Sequence, residues 1–363
     1  MNRTWRQVFA LLTLILTVQC LCMNPSDVTS IIATETPPAI PTVDISILTP
    51  QVLPPADTVV PEPLPTAIPT QALPPLETRV YDAIQTVTMR NNGPGSVRVV
   101  FNLALVQDVP PYQQVLTSDI SPAGYQTQGD EHGNKYAVFE IAELEAGSAQ
   151  VFTNSVRVAV NAVRYGLEGC GGDMPAEYTA PEQFIDSDAP QVVELAAKLG
   201  DGKATVCNKA RSYYEYIGDT LTYAGYVPDE MGALATINAG SGDCTDFADV
   251  MISLSRAAGI PARFMEGVTC CTDKGYVEGQ IKHDWTEVFL PPAGWVPVDP
   301  TYGQPPGNED SYFAAVPADR IIVTRGQNLQ VLSGYHYWSY TYWYDNTEPD
   351  IETSGEWSIL KVQ

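Results

Sequence analysis

The pattern of hydrophobic and polar positions changes several times along the chain, and the first segment is an apolar run. This run extends from Val8 to Val18 and follows two arginines, which is the charge order of an export signal. It is too short to favour a membrane span. We predict a signal peptide or a lipoprotein signal over residues 1–22, in which Cys20 or Cys22 takes a lipid anchor or the segment is cleaved or retained without one.

The next two stretches are a linker and a β-rich region. Residues 23–77 are dense in Pro and Thr without a sustained helical period, which predicts a disordered, extended linker. Residues 78–168 contain short runs of β-forming residues, turn signals and no long helical pattern, so we predict a β-sandwich domain there. The predicted strands are Ala83 to Met89, Ser96 to Ala104, Tyr136 to Ile141 and Ala149 to Val160.

Helical spacing of apolar residues appears after Gly172, in Ala189 to Leu199 and Thr205 to Leu221. Asp243 is typical of the cap of a third helix, and Gly259-Ile260-Pro261 is typical of its end. Helices followed by antiparallel strands indicate an α+β domain over residues 169–363, with a C-terminal strand extension. The later predicted strands are Arg263 to Thr269, Lys282 to Leu290, Trp295 to Val298 and the aromatic run Tyr335 to Tyr344.

Composition narrows the classes of partner. The 363 residues are 44% hydrophobic, enough for a substantial core, and 19 basic against 43 acidic residues give a formal charge of −24. Such a charge opposes binding to nucleic acid or to anionic membrane surfaces. We therefore expect no nucleic-acid partner, and membrane contact only through the N-terminus if that segment is anchored.

Three residues form the candidate chemistry. Cys244 follows Gly242-Asp243 in the first turn of the predicted helix, where unpaired N–H groups and the helix dipole favour a thiolate. His283 begins a predicted strand and has the right chemistry for a general base. Asp299 ends the next strand, where its carboxylate can orient the imidazole.

Four blocks of sequence around these residues resemble the core of the transglutaminase-like superfamily. They are Gly-Asp-Cys-Thr-Asp-Phe-Ala (242–248), Arg-Ala-Ala-Gly-Ile-Pro-Ala-Arg (256–263), His-Asp-Trp-Thr-Glu-Val (283–288) and Gly-Trp-Val-Pro-Val-Asp-Pro-Thr (294–301). The resemblance implies a papain-like fold, in which a helix packs on an antiparallel sheet. It also implies that Cys244 is the nucleophile, His283 the base and Asp299 the orienting residue. We expect the enzyme to act without a metal or organic cofactor.

The resemblance further implies acyl transfer from an amide through a thioester on Cys244. The Cys244 N–H is one expected oxyanion donor. Animal transglutaminases supply a second oxyanion donor from an upstream Trp. We expect Tyr223 to take that role in this chain. Trp285 shares a strand face with His283, so it either shields the site from water or packs in the core.

Five cysteines follow the linker. With Cys244 as the free thiol, we predict that Cys170 and Cys207 each pair with either Cys270 or Cys271, because a bridge between neighbours strains the backbone. The alternative is four buried, reduced cysteines. We expect Arg256 and Arg263 to pair with carboxylates near the Gly-Ile-Pro turn, and His336 to be structural without an obvious carboxylate partner.

The sequence as a whole predicts an extracellular or cell-surface thiol enzyme, secreted or lipid-anchored. Its expected partner is a protein, peptide or cell-wall peptide substrate. Within enzymes, the alternative is a cysteine peptidase or peptidoglycan amidase. From another class, the alternative is a peptide- or glycan-binding module without turnover.

Overall fold

The structure is a computed structural model that describes residues 76–362, except 228, 271–275, 280–281 and 346–347, with the backbone alone for 276–279. The predicted signal segment and nearly all of the predicted linker lie outside the described residues. None of the helices formed by the described residues is long and apolar enough to span a membrane.

The region before the helices is built from strands alone. They are β1 (Glu77–Asn91), β2 (Val97–Ala104), β3 (Gln113–Ser121), β4 (Gln126–Gly129), β5 (Lys135–Leu144) and β6 (Ala149–Arg164). Buried and exposed positions alternate along β1 and β2, as expected for strands with one face in a core. The Asn91 amide donates to the carbonyl of Gly95 at 2.7 Å and closes the turn between these two strands.

The helical region contains four α-helices and two short strands. These are α1 (Pro190–Gly200), α2 (Val206–Thr220), β7 (Thr222–Tyr223), α3 (Ala233–Ala239), β8 (Ser241–Gly242) and α4 (Cys244–Ala257). Phe247, Val250, Met251 and Leu254 of α4 are fully buried. Gly259 has a φ of 72° just after α4, a left-handed conformation that ends a helix most readily at glycine.

The chain then returns to strands. They are β9 (Ala262–Thr269), β10 (Tyr276–Gly279), β11 (Lys282–Leu290), β12 (Gly294–Val298), β13 (Ala315–Val316), β14 (Arg320–Arg325), β15 (Trp338–Trp343) and β16 (Ile351–Lys361). Short 3₁₀ turns occur at Glu309–Ser311 and Gln330–Leu332.

These strands form three main sheets. One has the order β10-β16-β1-β6-β13, with β3 also paired to β6; the second is β15-β2-β5-β4; the third is β12-β11-β9-β14. The first two pack face to face around Phe101, Phe139 and Phe152, which confirms a sandwich before the helices. The third carries α4 against β9 and β11, which confirms the predicted α+β core.

The C-terminal strands join the N-terminal sheets. We assigned them to the catalytic domain as an extension, yet β16 pairs with β1 along Tyr81 to Asn91, and β15 pairs with β2. A further apolar cluster links the sandwich to the third sheet, with Val158, Val268 and Trp357 among its members. The division of the chain at residue 168 stays a prediction.

Candidate active site

Helix α4 places Cys244 at its first position. The Asp243 carboxylate accepts hydrogen bonds from the N–H groups of Thr245 and Asp246, and the Asp246 carboxylate accepts from the Asp243 N–H. This reciprocal pair is a capping box, and it fixes where the helix starts. The cap uses the N–H groups of residues 245 and 246, so it does not consume the N–H of Cys244.

Strands β11 and β12 bring His283 and Asp299 together. His283 Nε2 lies 2.8 Å from Asp299 Oδ2, and both side chains are about 95% buried or more. The other oxygen of Asp299, Oδ1, accepts from the N–H groups of Thr301 at 3.1 Å and Tyr302 at 3.0 Å. Since Nε2 faces the carboxylate, Nδ1 of His283 is the nitrogen left for a reacting group.

Arg320, the first residue of β14, completes this buried charge cluster. Its Nη1 donates to Asp299 Oδ2, and its Nε donates to Asp319 Oδ1 at 3.1 Å. Burial by itself raises the pKa of the Asp299 carboxyl, but the charges of His283 and Arg320 outweigh that effect and hold it well below its usual range. Asp299 is therefore a permanent anion beside the imidazole at neutral pH.

Two aromatic rings enclose His283. Trp285 stacks on the imidazole with a centroid separation of 5.8 Å, and Tyr302 approaches it at 4.4 Å. Trp285 is 2% exposed, and the Arg320 guanidinium lies 5.2 Å from its ring centre. Trp285 thus packs beneath the imidazole in the core and excludes water from that side.

Cys244 is a free cysteine, and the residue as a whole is partly exposed. Burial raises the pKa of the Cys244 thiol, the carboxylates of Asp284 and Asp243 raise it further, and a backbone N–H of Asp284 lowers it. These effects oppose the thiolate that we expected from the helix position. The helix dipole is outweighed because two acidic side chains and a partly dry environment act on the same sulfur.

Cys244 and His283 occupy adjoining elements. Thr245 Oγ1 donates to Asp284 Oδ2 at 2.6 Å, so the first turn of α4 is tied to the residue that follows His283. The Asp299 charge is close enough to raise the pKa of Cys244. Among the described residues, no hydrogen bond joins Cys244 to His283; catalytic hydrogen bonds are often long without substrate and tighten when substrate binds.

Tyr223 lies beside the nucleophile position. Strand β7 pairs with β8 in parallel, with Tyr223 opposite Gly242, two residues before Cys244. Burial, followed by the charges of Cys244 and Asp243, raises the pKa of Tyr223 to about 12. The hydroxyl of Tyr223 consequently stays protonated at neutral pH and is able to donate.

A cavity of about 450 Å³ opens at Cys244 and Thr245. Its wall includes Glu230, Asp284 and His336. His336 Nδ1 is 2.7 Å from Glu266 Oε2, so the fold supplies a carboxylate partner that is not obvious in the sequence. That partner is 70 positions away and is brought close only by the fold.

The predicted cysteine pairing is wrong. Cys170 is bonded to Cys207, with their Cα atoms 6.1 Å apart, instead of each pairing with the later cysteines. The loop after β6 passes the start of α2, a proximity that the cysteine spacing did not show. Cys270 is also disulfide-bonded, and Cys271 lies outside the described residues.

The two arginines near the Gly-Ile-Pro turn pair with carboxylates as expected. Arg256 Nη1 lies 2.6 Å from Glu182 Oε1, and Arg263 Nη2 lies 2.6 Å from Glu287 Oε2. Arg256 also donates to the carbonyl of Ala262 at 2.9 Å, which ties α4 to β9. These contacts position the helix against the sheet that carries His283.

Comparison with known proteins agrees with this architecture. The family model of the transglutaminase-like superfamily matches residues 193–300. YebA of Bacillus subtilis, whose function is uncharacterised, is 31% identical over 146 residues, which are 35% of this chain and 20% of that protein. A protein-glutamine gamma-glutamyltransferase of Pseudomonas aeruginosa is 36% identical over 75 residues, which are 17% of this chain and 10% of that protein.

A solved structure shows the same fold over most of the chain. It is a candidate cysteine protease from Cytophaga hutchinsonii, with a TM-score of 0.54, 16% identity and coverage of 78% of this chain and 98% of that one. The chain spans about a fifth and a tenth of the two curated relatives, so their whole-protein activities are not carried over. Residues 193–300 therefore form a region of the transglutaminase-like superfamily.

Proposed function

We propose that this protein is an exported thiol enzyme that cleaves an amide or transfers its acyl group through a thioester on Cys244. The observation that carries the proposal is the buried pair of His283 Nε2 and Asp299 Oδ2 at 2.8 Å, next to the helix start that bears the free thiol. A nucleophile, a base and an orienting acid in this order form a catalytic relay on many folds.

Because burial and two nearby carboxylates raise the pKa of the Cys244 thiol, its activation accompanies attack. As Cys244 Sγ bonds to the amide carbonyl carbon, its proton passes to His283 Nδ1, and Asp299 stabilises the resulting imidazolium. Collapse of the tetrahedral adduct breaks the C–N bond, and the proton on His283 leaves with the amine or ammonia. A thioester on Cys244 remains, and water or a primary amine then completes the cycle.

The developing oxyanion has two donors at hand. One is the N–H of Cys244, which the helix cap leaves available, and the other is the hydroxyl of Tyr223 on the neighbouring strand. Donors of this kind stabilise the transition state more than the ground state, because the charge appears only during the reaction.

The proposed substrate is a protein, a peptide or a cell-wall peptide outside the cytoplasm. Export is supported by the signal-like N-terminal sequence and by the Cys170–Cys207 disulfide, which is typical of oxidising compartments. A carboxamide side chain as acyl donor is supported by similarity to a protein named as a protein-glutamine gamma-glutamyltransferase. A peptide-bond donor instead makes the enzyme a peptidase or peptidoglycan amidase.

Product analysis tests the proposal. The chain is incubated with casein or with peptidoglycan peptides, with and without a primary amine, and ammonia, new amino termini and amine incorporation are measured. We expect turnover and an alkali-labile acyl adduct on Cys244, both absent in Cys244→Ala and strongly reduced in His283→Ala. Ammonia release identifies a deamidase or transglutaminase, whereas new amino termini identify a peptidase.

A binding module without chemistry is the contrary result. It would show peptide or glycan binding that Cys244→Ala leaves unchanged, with no product and no acyl adduct from the intact chain. Asp82→Asn serves as the control for the variants, because Asp82 pairs with Arg157 on the exposed face of the sandwich, away from the site.

A further inference from the structure

Three side chains beside the nucleophile, but outside the proposed relay, converge on one point. Single ligand-type atoms of Glu266, Asp284 and His336 all lie within 4.8 Å of one another. Glu266 and Asp284 are 2% and 8% exposed, and they sit directly opposite each other on β9 and β11. Two carboxylates facing each other in this way repel unless a cation lies between them.

One oxygen in the cluster is buried and unused. Asp284 Oδ2 accepts the hydroxyl of Thr245, but Asp284 Oδ1 has no hydrogen-bond partner among the described residues. Asp284 also lines the cavity at Cys244. A buried carboxylate oxygen without a donor is costly, so its orientation calls for a cationic ligand.

The second ring nitrogen of His336 faces another carboxylate, that of Glu230. His336 Nδ1 contacts Glu266, and Nε2 lies 3.9 Å from Glu230 Oε2. The amide of Gln327 donates to Glu230 Oε1 and to Asp249 Oδ1, which holds Glu230 in place. A histidine with one nitrogen toward a ligand cluster and the other toward a carboxylate is the usual arrangement around a bound metal.

We propose that Glu266, Asp284 and His336 bind one divalent metal ion, with Zn²⁺ the ion that this donor set suits best. One imidazole nitrogen and two carboxylate oxygens are the ligand types of three-residue zinc sites, and the cavity has room for a water at the fourth position. A tetrahedral zinc ion needs donor atoms about 3.4 Å apart. Zinc binding therefore requires the partly exposed His336 side chain to turn away from Glu266, from which it is 2.7 Å distant, and it releases the proton that the two share.

Lys282 is the competing cation. Its Nζ lies 4.7 Å and 4.5 Å from the ring centres of Tyr337 and Trp338, and the nearby charges of Glu266 and Asp284 act on it. Because the ammonium is held over aromatic rings near the two carboxylates, it weakens metal binding by repulsion. Removing it should strengthen the site.

Zinc binding to the full chain tests the proposal, and Cys244→Ala serves as the background so that the thiol does not contribute. We expect one Zn²⁺ per chain by isothermal titration, and visible absorption bands when Co²⁺ replaces Zn²⁺. His336→Ala and Asp284→Asn should each weaken binding at least tenfold, and Glu230→Gln by about 10- to 100-fold. Lys282→Met should bind more tightly.

The matched control is His132→Ala, because His132 lies outside this cavity and hydrogen-bonds Tyr178 instead. It should bind zinc as its parent does. The proposal is overturned by the absence of stoichiometric binding, by binding that survives both His336→Ala and Asp284→Asn, or by binding that disappears in Cys244→Ala alone. If a ligand variant fails to fold, Lys282→Met still decides, since unchanged or weaker binding contradicts the site.

Discussion

Arg320 and Asp299 form a buried ion pair on the same carboxylate oxygen, Oδ2, that contacts His283 Nε2. The side chains of Arg320 and Asp299 are 2% and 3% exposed. Two contacts on one oxygen fix the orientation of the carboxylate. The orientation of the imidazole therefore depends on a strand, β14, that contributes no residue to the proposed relay.

Replacing Arg320 with Met should destabilise the protein by about 3–5 kcal/mol, because the change leaves a buried carboxylate with one partner fewer. Urea unfolding measures the difference. Arg157→Met is the matched control, since Arg157 pairs with Asp82 at the surface, and its effect should be much smaller. Equal effects of the two changes would show that the buried ion pair stabilises the protein no more than the surface ion pair does.

The sequence predicted the site where contacts are local or belong to the resemblance. Asp243 and Asp246 are three positions apart, so the capping box and the start of α4 follow from the chain itself. His283 and Asp299 lie near the start of β11 and just after β12, a neighbouring pair of strands, and were found by their motifs.

Arg320 and the carboxylate partner of His336 were missed because their contacts join residues far apart in the sequence. Arg320 meets a carboxylate 21 positions earlier, and His336 meets Glu266 from 70 positions away. The pairing of β16 with β1 joins the two ends of the described chain for the same reason. A polar residue at the start of the apolar strand β14 was the one signal available for Arg320.

Alkylation of Cys244 should depend on pH as a buried thiol does. Its pKa is raised, so iodoacetamide should react slowly at pH 7, and the rate should climb only above the ordinary thiol pKa of about 8.5. Asp284→Asn removes one carboxylate that raises this pKa, so its labelling curve should move to lower pH. Peptide mass spectrometry gives the rates, and rapid labelling of the intact chain at pH 6 would contradict the prediction.

Asp284 should make the folded state more stable as the solution becomes mildly acidic. Burial raises the pKa of Asp284 to about 6, whereas an unfolded Asp titrates near about 3.9. Between these values the folded state binds more protons, so its stability rises as the pH falls from 7 to 4, by at most about 3 kcal/mol from this group. Asp284→Asn should remove this rise in unfolding experiments across that range, and an unchanged slope would refute it.

The Cys170–Cys207 bridge should contribute about 4 kcal/mol by limiting the unfolded chain, because the two residues are 37 positions apart. The Cys170→Ser, Cys207→Ser double variant should therefore unfold at a lower urea concentration. Reductant should lower the stability of the parent by breaking this bridge. The double variant lacks the bridge, so reductant should not lower its stability in this way. A parent and a double variant of equal stability without reductant would show that the bridge does not form.

Tyr223 provides the sharpest test of how the oxyanion is stabilised. Its hydroxyl stays protonated at neutral pH, and its strand β7 pairs with β8, which ends two residues before Cys244, so Tyr223→Phe removes a donor while keeping the ring. Loss of one oxyanion donor lowers kcat by about 10²- to 10³-fold with little change in KM, because the interaction forms only in the transition state. Tyr223→Trp should restore part of kcat, since the indole N–H is also a donor. Tyr216→Phe on α2 is the control and should retain full activity; a Tyr223→Phe enzyme as active as that control would leave the Cys244 N–H to act with some other donor.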